Sequence, residues 1–213
     1  MLSVKQFSFN HFQTNCYVLW DEDTKECFII DPTAETSGEK QRLALFIDQN
    51  GLKVIRILLT HAHIDHIAGL KWACEKYLLP VTTHADSIKL IRQSAAYADI
   101  MGFAANDFGG LEYNYVNGGD KLTIGAESVE CRHVPGHCPG SICYVTDNPQ
   151  MVFTGDNLFR GSIGRTDLPG GDHNLLMDKI RTELLPLHDD TIVLPGHGDC
   201  STIGDEKSWN PFL

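Results

Sequence analysis

The stretch KVIRILLTHAHIDH, residues 53–66, decides how the rest of the chain is read. Its first half, KVIRILLT, has the length and β-branched content of a buried strand. Its second half places His61, His63, Asp65 and His66 within six positions directly after that strand. Side chains alternate along a strand, so His61 and His63 can face the same way. A turn into a helix then swings Asp65 and His66 back over the same spot. Imidazole and carboxylate are ligands that suit Zn(II), and also iron or manganese. As mere packing the cluster makes little sense, because imidazoles repel when protonated and waste donors when buried without partners.

Three further candidates share one local context, an apolar strand followed by a glycine and then a ligand-type residue. They are His137 in HVPGH, Asp156 in MVFTGD and His197 in IVLPGH. Glycine before each allows the backbone to approach a site with no Cβ in the way. Together with HAHIDH they make five histidines and two aspartates, enough for two adjacent divalent ions. Spacing alone leaves open which side chain serves which ion.

Around these motifs, strands and helices intermix. NCYVLWD and ECFIIDP read as strands separated by the turn EDTK, and Asp-Pro ends the second. Helical spacing follows from Ser37 to Asn50, with Gly51 expected as C-cap. IAGLKWACEKYL reads as a helix leaving the histidine cluster. PVTTH reads as a strand, and DSIKLIRQSAAYA as a helix capped by Asp-Ser. Residues 99–115, DIMGFAANDFGGLEYNY, have no clean period and are read as a loop or flap. KLTI, VECRHV, SICYVT, MVFTGD and TIVLPGH are strands, and a helix is expected from His173 to Leu185. The expectation is one α/β (α+β) domain over residues 1–213, two packed sheets with helices outside.

Bulk properties narrow the function. With 213 residues, 42% hydrophobic and 21% charged, the chain has the composition of a soluble globular protein. A formal charge of −11 with scattered Lys and Arg argues against a nucleic-acid partner and leaves a small-molecule substrate. No apolar run is long enough to span a bilayer, and no signal-peptide pattern opens the chain. Seven cysteines without a CxxC pair fit free thiols in a reducing cytoplasm. Cys138, beside a candidate ligand, reads as an inert buried thiol. His84 reads as structural or as support for a ligand. His11, His133, His173 and His188 have no ligand-like context.

The order HAHIDH, His137, Asp156, His197 resembles the metallo-β-lactamase superfamily, and the resemblance covers nearly the whole chain. PGHCPGSICY, FTGDNLFRGSIGRTDLPGGD and PGHGDCSTIG are similar to short bacterial relatives of glyoxalase II, the hydroxyacylglutathione hydrolases. The resemblance implies an αββα sandwich and a binuclear hydrolase acting on a small thioester such as S-lactoylglutathione. It implies His61, His63 and His137 on one ion, Asp65, His66 and His197 on the other, and Asp156 bridging. It further implies two divalent ions, zinc foremost, with Asp65 orienting or deprotonating the nucleophile. Sixteen residues follow His197, too few for the family's C-terminal helical extension. Arg165 stands where the family keeps a basic residue for a glutathione carboxylate, though it could equally form an ion pair with Asp167. Thr166 and Asp167 occupy the positions where the family carries an aromatic residue. Two rivals remain within the resemblance, a mononuclear iron persulfide dioxygenase using His61, His137 and Asp156, and a non-catalytic metal-binding relative.

Overall fold

In the computed structural model, which describes residues 1–104 and 108–213, the chain forms two six-stranded mixed sheets packed face to face. The first sheet begins with β1 (Leu2–Phe9), β2 (Thr14–Asp21) and β3 (Glu26–Ile30), an antiparallel run. Helix α1 (Ser37–Gln49) then crosses to β4 (Lys53–Leu58), parallel to β3. Helices α2 (Leu70–Tyr77) and α3 (Ser87–Tyr97) carry the chain through β5 (Val81–Thr83) to β6 (Tyr113–Tyr115), both in parallel pairing. The second sheet contains the antiparallel strands β7 (Lys121–Ile124), β8 (Glu127–His133), β9 (Ile142–Asp147) and β10 (Gln150–Gly155). A small hairpin of β11 (Leu158–Phe159) and β12 (Ser162–Ile163) precedes α4 (His173–Lys179). Then β13 (Ile192–Pro195) lies parallel to β10, and β14 (Ser201–Thr202) and α5 (Ile203–Trp209) end the chain.

Period-two alternation sorts the strand side chains between two cores. Tyr17, Leu19, Phe28 and Ile30 face the second sheet and meet Ile142, Tyr144, Met151 and Phe153 there. Their neighbours Cys16, Val18, Cys27 and Ile29 face outward and bury Leu43 and Ile47 of α1. On the far side Leu176, Ile180 and Leu184 cover Cys143, Val145, Val152 and Val193. Full burial of a side chain of this size stabilises by about 1.5–3 kcal/mol. The αββα layering follows from these three faces.

Several elements differ from the sequence reading. The helix after the cluster starts only at Leu70, because residues 64–69 form consecutive turns that present the ligands. Asp86 precedes α3 but caps it with no side-chain hydrogen bond. Asn50 is the C-cap of α1, and Gly51 follows it at φ 63°. The expected helix over His173–Leu185 is α4 followed by one π-helical turn, Ile180–Leu184. Strands β1, β6, β11, β12 and β14 and helix α5 were not expected. Of the 99–115 segment, residues 105–107 lie outside the described residues, and its end supplies β6.

At one end of the sandwich the two sheets are stitched together by backbone. Ile142 N–H donates to the Thr60 carbonyl at 2.8 Å and Asn15 N–H to the Gly196 carbonyl at 2.7 Å. This is the end at which the motif residues emerge.

Candidate metal centre

The C-terminal ends of the parallel pair β3 and β4 build the centre's foundation. In their register Ile30 lies beside Leu58, so Asp31 and Thr60 emerge side by side. Asp31 is 2% exposed and holds three donors. Its Oδ1 accepts from Thr60 N–H at 2.7 Å, and its Oδ2 accepts from the Thr60 hydroxyl at 2.6 Å and from His66 Nδ1 at 2.9 Å. Since the Thr60 hydroxyl donates to Asp31, it must accept from His61 Nδ1, 3.0 Å away. Both histidines thereby carry a proton on Nδ1, which leaves Nε2 as the atom that can meet a metal ion. A carboxylate–histidine arrangement of this kind orients a metal-ligating ring and raises its basicity.

His137 and His197 are held in the same manner. His137 Nδ1–H donates to the Arg165 carbonyl at 2.8 Å, and His197 Nδ1–H to the Phe12 carbonyl at 3.2 Å. Asp65 Oδ2 accepts from the Thr14 hydroxyl at 2.9 Å. Asn10, at φ 50° in the turn between β1 and β2, donates from Nδ2 to the carbonyls of Thr33 and Asp65. That turn thus leans on the histidine cluster.

All seven residues singled out in the sequence converge. His61, His63, His137 and Asp156 form one group, and Asp65, His66 and His197 form another, with potential ligand atoms inside each group within 4.8 Å of one another. Asp156 faces both. Its Oδ2 lies 3.9 Å from His61 Nε2, 3.7 Å from His137 Nε2 and 3.6 Å from His197 Nε2, and its Oδ1 lies 3.2 Å from His66 Nε2. The imidazole pairs within the first group meet nearly edge to face, with interplanar angles of 80–89°. His137 Nε2 and His63 Nδ1 approach to 2.8 Å, so ring nitrogens of this group converge.

The donor set fits a pair of metal ions. His61 Nε2, His66 Nε2 and Asp156 Oδ1 are buried without a hydrogen-bond partner. Such orphaned groups are costly unless a ligand satisfies them. Gly196 completes the cradle, since a Cβ there would overlap Asp156 Oδ1 and come within 2.7 Å of His66 Cε1. The expectation for Gly136 is corrected: a Cβ at that position would strike the backbone of Leu176 in α4, so this glycine serves helix packing.

Charge in the centre is uneven. Burial, followed by the neighbouring imidazoles, holds His61 well below the usual histidine range, and burial and His137 bring His63 down to about 4. Burial likewise lowers His137. For His66, burial is outweighed by Asp156, Asp65 and Asp31, which hold its pKa well above the ordinary value. His197 is also raised, burial being overcome by its bond to Asp65 and by Asp156. Burial would raise Asp65 and Asp156, but His66 and His197 hold both carboxyls below their usual range. Positive charge is therefore favoured where Asp65, Asp156 and His66 meet, and protons compete with metal for it.

The other expectations resolve individually. Arg165 is exposed, and its guanidinium makes two bonds to Asp167, at 2.7 and 2.8 Å. All seven cysteines are free thiols, and burial pushes Cys138 up to about 11, which leaves it inert at neutral pH. His84 stacks on His133, centroids 4.2 Å apart and planes 13° apart. Lone pairs in parallel rings do not converge on one ion, so this pair, with Asp86 beside it, packs rather than chelates. His11 bonds the Met101 carbonyl and packs at a tilt against Phe103, tying the β1–β2 turn to the 99–104 segment. Among the described residues no helix is long and apolar enough to cross a membrane.

Asp31, Thr60 and Thr14 were missed in the sequence. An acidic residue closing a strand parallel to the ligand-bearing strand was the signal for the first.

Comparisons with known proteins agree with this geometry. A family model described as the metallo-beta-lactamase superfamily matches residues 10–197. The chain is similar to the hydroxyacylglutathione hydrolase GloC of Haemophilus influenzae, 38% identical over 203 residues, covering 95% of this chain and 93% of that one. Among solved structures it is similar to the B3 metallo-beta-lactamase BLEG-1, with TM-score 0.89, 38% identity and coverage of 99% of both chains. It is also similar to a protein crystallised in a di-iron-bound form, with TM-score 0.87, 34% identity and coverage of 98% of this chain and 100% of that one.

Proposed function

The chain belongs to the metallo-beta-lactamase superfamily, and from that premise we propose that it is a binuclear metal-dependent hydrolase of a small thioester such as S-lactoylglutathione. One observation carries the reading: Asp156 stands between two complete ligand groups, facing His61 and His137 on one side and His66 and His197 on the other. Zinc is the proposed ion, on the strength of the His-rich, carboxylate-bridged donor set. The di-iron form of a similar protein makes iron the alternative to test. The name of the Haemophilus relative supports a hydroxyacyl thioester as substrate. The proposed partner is a small molecule rather than a nucleic acid or a membrane.

When bound, two divalent cations supply Lewis acidity and bring the acidity of water toward neutrality. The chain's own residues supply position and proton transfer. Asp65, steadied by the Thr14 hydroxyl at 2.9 Å, orients the attacking water or takes its proton. Asp31 and Thr60 hold the His61 and His66 rings so that no reorganisation is needed as charge develops. A thioester suits this site because the leaving thiol, with a pKa of about 8.5, departs as thiolate with no dedicated acid. Arg165 serves as an anion contact only by exchanging Asp167 for a substrate carboxylate.

The intact second group, Asp65, His66 and His197, favours this reading over the mononuclear dioxygenase and over a non-catalytic relative. Hydrolysis of S-lactoylglutathione, lost on chelation and restored by zinc, is the expected result. Oxygen uptake on glutathione persulfide by an iron-loaded chain, with no thioester cleavage, would overturn it.

A further inference from the structure

His197 is more open than the aspartates it faces, with a side chain 31% exposed against 13% for Asp65 and Asp156. Beside it runs a groove lined by Phe159, Arg160, His197, Gly198 and Asp199. The Phe159 ring lies 6.3 Å from the His197 imidazole. Arg160 follows directly, in the turn between β11 and β12, four residues beyond Asp156 in the chain. The hairpin therefore places an aromatic wall and a cation at the open side of the candidate centre.

Two arginines lie on this segment, and their situations differ. Arg165 is held by two short bonds to Asp167. Arg160 makes one contact, Nη1 to Asp199 Oδ2 at 3.3 Å, between side chains 66% and 84% exposed. A pair so open and so long is weak, screened and readily exchanged. On a chain of formal charge −11, a guanidinium in the groove beside His197 is a local positive charge against an acidic background.

We propose that Phe159 and Arg160 form the subsite for the thiol half of the substrate. Phe159 packs against its apolar part, and Arg160 leaves Asp199 to receive a carboxylate in a charge-assisted hydrogen bond. The inference rests on the hydrolase reading and assigns the residues of this chain that recognise the carboxylate on the thiol. Arg160 is a specificity residue, and Asp199 is the counter-charge that competes with the substrate for it.

The test compares S-acetylglutathione with its dimethyl ester, substrates of the same thioester that differ in charge. Arg160→Gln is expected to raise KM for the diacid about tenfold while kcat stays within about twofold, and to move KM for the diester less than about twofold. Asp199→Asn is expected to lower KM for the diacid. Binding of S-hexylglutathione, a thioether with no bond to hydrolyse, reads the subsite apart from catalysis and is expected to weaken about tenfold in Arg160→Gln. Equal effects on both thioesters, or unchanged S-hexylglutathione affinity, would overturn the subsite. Absence of hydrolysis by the wild-type enzyme would instead overturn the proposed function, with the thioether titration still deciding on Arg160.

Discussion

Replacing Asp31 by Asn changes one atom and disturbs both halves of the candidate centre. Three donors converge on the carboxylate: Thr60 N–H at 2.7 Å, Thr60 O–H at 2.6 Å and His66 Nδ1–H at 2.9 Å. An amide keeps one acceptor oxygen and brings two hydrogens. If its nitrogen takes the Oδ1 position, it faces Thr60 N–H, donor against donor. If it takes the Oδ2 position, it faces His66 Nδ1–H, and the Thr60 hydroxyl must rotate, which unseats His61. Asp31 is buried, so water offers little relief. At least one charge-assisted bond is lost in either orientation, worth about 1.5–3 kcal/mol, or about one to two powers of ten in an equilibrium constant. Loss of a carboxylate supporting a ligand histidine carries a cost of the same order in metal affinity. The assay is metal content at buffered free-ion concentrations, with circular dichroism to confirm the fold. Asp31→Asn is expected to need about tenfold to about a hundredfold more free zinc for half-occupancy. Affinities within about twofold of wild type would refute the reasoning that fixes both tautomers through this carboxylate.

Gly196→Ala would drive a Cβ into Asp156 Oδ1 and against His66 Cε1, so the variant is expected to fold yet lose metal and at least about tenfold in kcat/KM. Metal content and steady-state rates check this. In chelated protein His61, His63 and His137 are held below the ordinary histidine pKa, while His66 and His197 are held above it. On acidification through about pH 6.5, the first three take up protons only when unfolded and favour unfolding, and His63 does so until about pH 4. The raised pair favours the folded state below that same pH and loses its contribution as pH rises through the raised values. His133 is lowered as well, so four outweigh two, and the thermal midpoint of the chelated protein is expected to fall between pH 7 and pH 5, as calorimetry would show. Cys138→Ala is expected to leave hydrolysis within about twofold, because burial holds that thiol protonated.

Much of this was legible in the chain because ligand chemistry and strand periodicity leave local marks. HAHIDH after KVIRILLT, and a glycine before His137, Asp156 and His197, sufficed to name all seven converging side chains. Two packed sheets with helices outside were legible as apolar runs separated by helical spacing, and the αββα order was implied by the resemblance. What was hidden depends on tertiary pairing. Asp31 looked like a strand-ending Asp-Pro until β3 and β4 proved parallel, which brings it beside Thr60. β1 moves its apolar residues from one face, Leu2 and Val4, to the other, Phe7 and Phe9, so no single apolar alternation marks it. Gly136 and Gly196 stand in the same sequence context, yet one meets a helix and the other the ligands. Arg165 and Asp167 share an ion pair that spacing allowed but could not decide.

The most direct test of the paired centre is the metal-to-protein ratio of zinc-reconstituted wild type and His66→Ala, measured by elemental analysis after removal of free ion. About two ions per wild-type chain and about one per variant chain, with hydrolysis falling at least about a hundredfold, is the outcome the two-ion proposal predicts. A ratio of one in both proteins, or full activity in the variant, would contradict it.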